Sequence, residues 1–198
     1  IEGVRRVSQN PRVASGLGVV PRVVAGGRSI YKGKIPLAEA HHRIARFWHP
    51  YHAALQALID ESHSGFGQAI LIDCHSMPHE ALVNIRAGGG ARPDVVLGDR
   101  FGAAASGAIV EHIEAAFGAA GLTVARNMPF AGAYIVQHYG RPSRKQHAVQ
   151  IEIDRALYMN EATLELNDNF DPLRALLSGV MSEITELGRE TDTALAAQ

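Results

Sequence analysis

Asp73-Cys74-His75-Ser76 sets an acid, a thiol, an imidazole and a hydroxyl in consecutive positions at the end of a nearly continuous apolar run, Gln68 to Cys74. Such a run reads as a central strand buried on both faces. Polar residues at the carboxyl end of a strand in an α/β sheet project into the crevice where these folds bind ligands. Neutral imidazole is the commonest protein ligand for zinc, and Asp73 is placed to take the second ring proton of His75. The same two side chains also read as a strand end that merely caps itself, and spacing leaves both readings open.

Ala148 to Arg155 offers a second group. Alternation puts Gln150, Glu152 and Asp154 on one face of a strand and Val149, Ile151 and Ile153 on the other. On an edge strand that polar row is a solvated surface; on an inner strand it must be hydrogen-bonded or functional. A carboxylate such as Glu152, near an activated water, can take its proton and pass it to a departing amine. Two loops carry groups suited to carboxylates: Arg126 to Tyr134 with Asn127, and Gly140 to Lys145 with Arg141, Arg144 and Lys145. The second also reads as an ordinary solvated basic turn. His79 follows His75 at i+4, but Pro78 disfavours a helical ligand pair. His49 and His52 flank Pro50 and read as structural, and His41, His42, His63 and His112 as solvated. The Gly88 to Gly90 run lacks the preceding strand and following helix of a phosphate loop.

The elements that must position these groups alternate. Pro36 to Ile59 has apolar residues at three- and four-residue steps and predicts a long helix that Pro50 kinks or divides. Pro93 to Leu97, Leu122 to Ala125, Tyr134 to Gln137 and Ala148 to Ile153 read as strands, and Val19 to Ala25 as a short edge strand. Phe101 to Ala120, ended by Gly121, and Phe170 to Leu195 read as helices. The alternation predicts a three-layer α/β/α domain with a mixed, mostly parallel sheet.

Composition narrows the function classes. Hydrophobic residues at 46% and charged residues at 20% exclude a disordered or fibrous chain, and 198 residues fit a single domain. Nineteen basic against twenty acidic side chains leave a net charge of -1, so no overall field draws nucleic acid or an anionic membrane, and the expected partner is a small molecule. The lone Cys74 forms no internal disulfide and matches a cytoplasmic setting. No stretch approaches the roughly 20 apolar residues that span a bilayer. Ile1 is not an initiator Met, and the chain is expected to begin within a longer protein.

Taken in order, Pro11 to Arg22, Ile30-Tyr31, Pro50-Tyr51-His52, Asp73 to Pro78, Val96 to Arg100, Asn127 to Phe130, Gln150 to Ile153 and Leu157 to Met159 resemble the N-formylglutamate amidohydrolases across nearly the whole chain. The resemblance implies a fold similar to the zinc exopeptidases, a bound Zn2+, and hydrolysis of N-formyl-L-glutamate to formate and glutamate, a late step of histidine degradation. It also implies roles: His75 as a metal ligand, Glu152 as the general base that becomes the acid, and Asn127, Arg144 and Arg155 as grips for the substrate carboxylates. The segments that would supply two further ligands are expected upstream of Ile1. Gly132-Ala133-Tyr134 and Glu152-Ile153-Asp154-Arg155 stand where relatives tend to have Gly-Gly-Tyr and Glu-Ile-Asn-Arg. Two other readings remain: a hydrolase of a different N-acyl amino acid or peptide, and a truncated or inactive homologue that binds acidic ligands.

Overall fold

Aliphatic and β-branched runs form a four-stranded sheet: β1 (Ala69–Met77), β2 (Val95–Gly98), β3 (Val124–Arg126) and β4 (Gln146–Asp154), in the order β1-β4-β2-β3. The pairings of β1 with β4 and of β2 with β3 are parallel, and β2 runs antiparallel to β4, so the sheet is mixed and mostly parallel. β5 (Met159–Asn160) and β6 (Glu165–Leu166) make a separate antiparallel ribbon. The computed structural model describes residues 11–24, 27–87 and 90–195. The chain divides into two compact units, between Gln56 and Ala57.

The first unit holds α1 (Pro11–Ala14), an isolated bridge between Val23 and Ser29, α2 (Leu37–Arg43), a π-helical turn at Ile44–Trp48, and the start of α3 (His49–Phe66). The expected strand over Val19 to Ala25 is reduced to that bridge in its described part; Pro21 and the flanking glycines deny it a regular ladder. Ala25 itself lies outside the described residues. The break expected at Pro50 takes the form of the π-helical turn just before it. Pro50 then falls in the first turn of α3, where its missing amide removes no helical bond.

In the second unit helices cover both faces of the sheet. Val95, Leu97, Val149 and Ile151 pack against α4 (Gly107–Ala119) and α6 (Phe170–Leu195). The opposite face sets Leu71 and Ala148 against Ala104 and Val136 of α5 (Tyr134–Tyr139), and Met77 and Val96 against Leu82 of the 3-10 turn His79–Leu82. The expected strand at Tyr134 to Gln137 is therefore a helix: seating Val136 and Tyr139 in the core outweighs the local strand preference. The helix expected from Phe101 begins only at Gly107, after Ser106 as its N-cap. Gly121 at φ +83 ends it as expected. β1, expected to be central, lies at the edge of the described sheet, with β4 inside it. Apolar alternation reports which faces are covered, not which edges are paired. Among the described residues no helix is long and apolar enough to cross a membrane.

One core contact carries a pH dependence. His147 on β4 is buried, its Nδ1 accepts from the Ser106 amide at 3.3 Å, and burial pushes its pKa below the ordinary value. The unfolded chain therefore takes the proton first as pH falls, so stability held above about pH 6.5 is lost in acid. His147→Gln is expected to show a flatter fall in unfolding temperature between about pH 7.5 and 5.5 than the parent chain.

Candidate active site

Register brings the two sequence candidates together. The parallel pairing sets His75 beside Glu152 and Asp73 beside Gln150, and on the other side of β4 Val96 faces Glu152 and Gly98 faces Gln150. Side chains alternate along a strand, so Asp73 and His75 of β1 share one sheet face with Gln150, Glu152 and Asp154 of β4. Neighbouring backbones lie about 4.8 Å apart, which puts the imidazole and the carboxylate in adjacent positions although they are distant in sequence. β4 is an inner strand, and Gln150, Glu152 and Asp154 are all buried.

Each member of this row is held. Gln150 Oε1 accepts from the Ala133 amide at 2.8 Å, and its Nε2 donates to Glu152 Oε1 at 2.8 Å. The loop carrying Ala133 lies directly on the sheet: a Cβ at Gly98 would come within 2.6 Å of Gly132 N. Asp154 Oδ1 accepts from Ala156 N at 3.0 Å, and its Oδ2 meets His79 Nδ1 at 2.6 Å. Glu152 retains 7% of its surface. Burial raises its pKa, against the opposing pulls of His75, the Gln150 hydrogen bond and Arg155, while Asp73 adds to the rise. A carboxylate moved toward neutrality and tethered through one oxygen suits a group that must both take and return a proton.

Asp73 and His75 lie together at the carboxyl end of β1. Asp73 Oδ2 is buried, has no hydrogen-bond partner among the described residues, and lies 3.0 Å from His75 Nε2. A buried carboxylate oxygen with no hydrogen bond among the described residues, 3.0 Å from an imidazole nitrogen, is a polar pair that a bound cation would complete. The pair fits one flank of a zinc site. No group of three or more potential ligands gathers among the described residues. Cys74 is an unsuitable nucleophile: burial first, then Asp73, raises its pKa and keeps it a thiol.

The remaining candidates go elsewhere. Asn127, at φ +62, gives its Nδ2 to Asp99 Oδ1 at 2.7 Å and accepts from the amides of Asp99 and Phe101, so it anchors the Asp99 turn. Asn127→Ala is expected to lower stability by about 1–3 kcal/mol, read by denaturant unfolding, because two amides and a buried carboxylate lose their partner. Arg144 is exposed in the 3-10 turn before β4, about 20 Å along the strand from Glu152 at ~3.3 Å per residue. Its carbonyl meets His63 Nε2 at 2.8 Å. Arg155 is closer to the row, but its guanidinium donates to Ser76 O at 3.0 Å and Ser76 Oγ at 3.2 Å, and lies 3.8 Å from Glu161. The rings of His49 and His52 pack against Trp48. Sequence reasoning set His79 aside because of Pro78; the structure joins it to Asp154, a contact across 75 positions that no local signal announces.

A sequence model of the N-formylglutamate amidohydrolase family matches residues 4–159. The chain is 33% identical to an N-formylglutamate deformylase of Pseudomonas aeruginosa and 30% identical to one of Pseudomonas putida, each over 87% of its length. It spans 66% of the length of both relatives. The crystal structure of N-formylglutamate amidohydrolase from Ralstonia eutropha superposes with a TM-score of 0.80 at 32% identity, covering 93% of this chain and 65% of that one. A sheet that sets the histidine of Asp-Cys-His-Ser beside the glutamate of Gln-Ile-Glu-Ile, and a match through most of the sequence, lead to one statement: the chain belongs to the N-formylglutamate amidohydrolase family.

Proposed function

We propose that the protein hydrolyses the formyl amide of N-formyl-L-glutamate, giving formate and glutamate, with Glu152 as general base and then general acid. The observation that carries this reading is Glu152 itself: buried, tethered by Gln150, and set directly across from His75 on one sheet face. Glu152 takes a proton from the attacking water as its oxygen bonds to the formyl carbon. The same carboxyl returns that proton to the amide nitrogen as the C–N bond breaks, so water is divided between the two products. Gln150 holds the carboxylate in place throughout. His75, with Asp73 beside its ring, would hold Zn2+, which when bound would supply polarisation of the carbonyl and activation of water. Its further ligands would come from residues outside those described.

The reading includes a cytoplasmic setting, a late place in histidine degradation, and a single hydrolase domain containing residues 1–198. The names of the relatives support the substrate and reaction, and the balanced charge supports a small-molecule partner. Formate release from N-formyl-L-glutamate by the full-length protein tests the reading. Turnover that falls at least about a hundredfold on chelation and returns with zinc is the expected result. No turnover, or turnover indifferent to chelation, would remove the assignment.

A further inference from the structure

The proposed reaction leaves a need unmet. Its substrate carries two carboxylates, yet Asn127 is bound to Asp99, Arg144 sits at the far end of β4, and Arg155 is engaged by Ser76 and Glu161. We propose that Arg92, seated against His79 by the Asp154–His79 pair, is the cation that binds a carboxylate of a short dicarboxylic substrate. The ligand class rests on the function proposed above; the placement of Arg92 does not.

Asp154 occupies the next position after Glu152 on the same face of β4, about 7 Å along the strand. The His79 ring carries the contact one group further, from Asp154 Oδ2 to Arg92. Both Asp154 oxygens are spent, one on the Ala156 amide and one on His79 Nδ1. Nδ1 of His79 therefore carries the hydrogen, and Nε2 presents a lone pair. Nη1 of Arg92 contacts that nitrogen. The His79 amide is also fixed, donating to Glu161 Oε2 at 2.9 Å, so the ring is anchored from both ends.

The consequence lies in the charge. Arg126 is neutralised by Glu114 and Arg155 leans on Glu161, whereas among the described residues Arg92 meets a ring nitrogen and forms no carboxylate ion pair. It is exposed, and among the described residues only its Nη1 is engaged, which leaves the rest of the planar fork to an incoming carboxylate. Asp154 and His79 are positioning residues in this arrangement, because they aim the guanidinium without neutralising it.

Calorimetric binding of glutarate and of glutaramate, in which one carboxylate is replaced by a neutral amide, tests the proposal on the full-length protein. Wild type is expected to prefer glutarate by at least about tenfold. Arg92→Met should remove that preference, and Arg92→Lys should restore part of it, since an ammonium keeps the charge but not the fork. A merely structural role would weaken both ligands together. Equal binding of the two ligands by wild type, or an undiminished glutarate preference in Arg92→Met, would overturn the proposal. Formate release by wild type is scored separately: an Arg92-dependent preference without turnover sinks the deformylase reading and leaves Arg92 standing, and turnover without the preference does the reverse.

Discussion

Glu152→Gln is expected to cut formate release by about a hundredfold to ten-thousandfold, the range that general acid–base catalysis supplies. Glutamine has nearly the same shape, and its Oε1 can still accept from Gln150 Nε2, so the row on β4 is kept. What it loses is the ability to take a proton. The variant is expected to unfold at a temperature no lower than wild type, because the substitution removes a charge whose burial already raises its pKa. Steady-state kinetics together with thermal unfolding check both parts. Activity within about tenfold of wild type would assign the base elsewhere.

The second large effect comes from a residue with no functional group. A Cβ at Gly98 would meet three backbone atoms, Gly132 N at 2.6 Å, Ala131 C at 2.8 Å and Phe130 O at 2.9 Å. Backbone cannot swing away as a side-chain tip would, so Gly98→Ala must push the Phe130 to Gly132 segment off the sheet. Ala133 follows that segment, and its amide holds Gln150, which in turn holds Glu152. Overpacking of this kind costs about 1–3 kcal/mol. A displacement of about 1 Å at the base is expected to lower turnover by up to a hundredfold. Gly118→Ala is the matched control, since nothing lies within 4 Å of its added methyl, and a helical alanine there should stabilise by about 0.5–1 kcal/mol.

Much of the site was legible in the sequence. Two-residue alternation in Ala148 to Arg155 predicted that Gln150, Glu152 and Asp154 share a face, and they do. Whether the row was solvated or buried depended on β4 being an inner strand, and strand order is decided by pairing between distant segments. For the same reason β1 read as central although it lies at the described edge. Tyr134 to Gln137 was misread because three β-branched and aromatic residues in a row prefer a strand, while the core rewards a helix, Tyr134–Tyr139, that buries Val136 and Tyr139. Asn127 and Arg144 had suitable chemistry for gripping a carboxylate, but a residue type does not reveal that the fold engages one with Asp99 and sets the other at the far end of β4. The His79 to Asp154 contact and the seat it makes for Arg92 arise only once the 3-10 turn after β1 folds over the end of β4.

Anomalous scattering at the zinc edge, from crystals of the full-length protein grown with zinc, tests the central geometry most directly. The expected result is a single strong peak about 2.0–2.1 Å from an imidazole nitrogen of His75, on the sheet face that carries the Glu152 carboxylate. A peak at His49 and His52, or at His79, with none at His75 would contradict it.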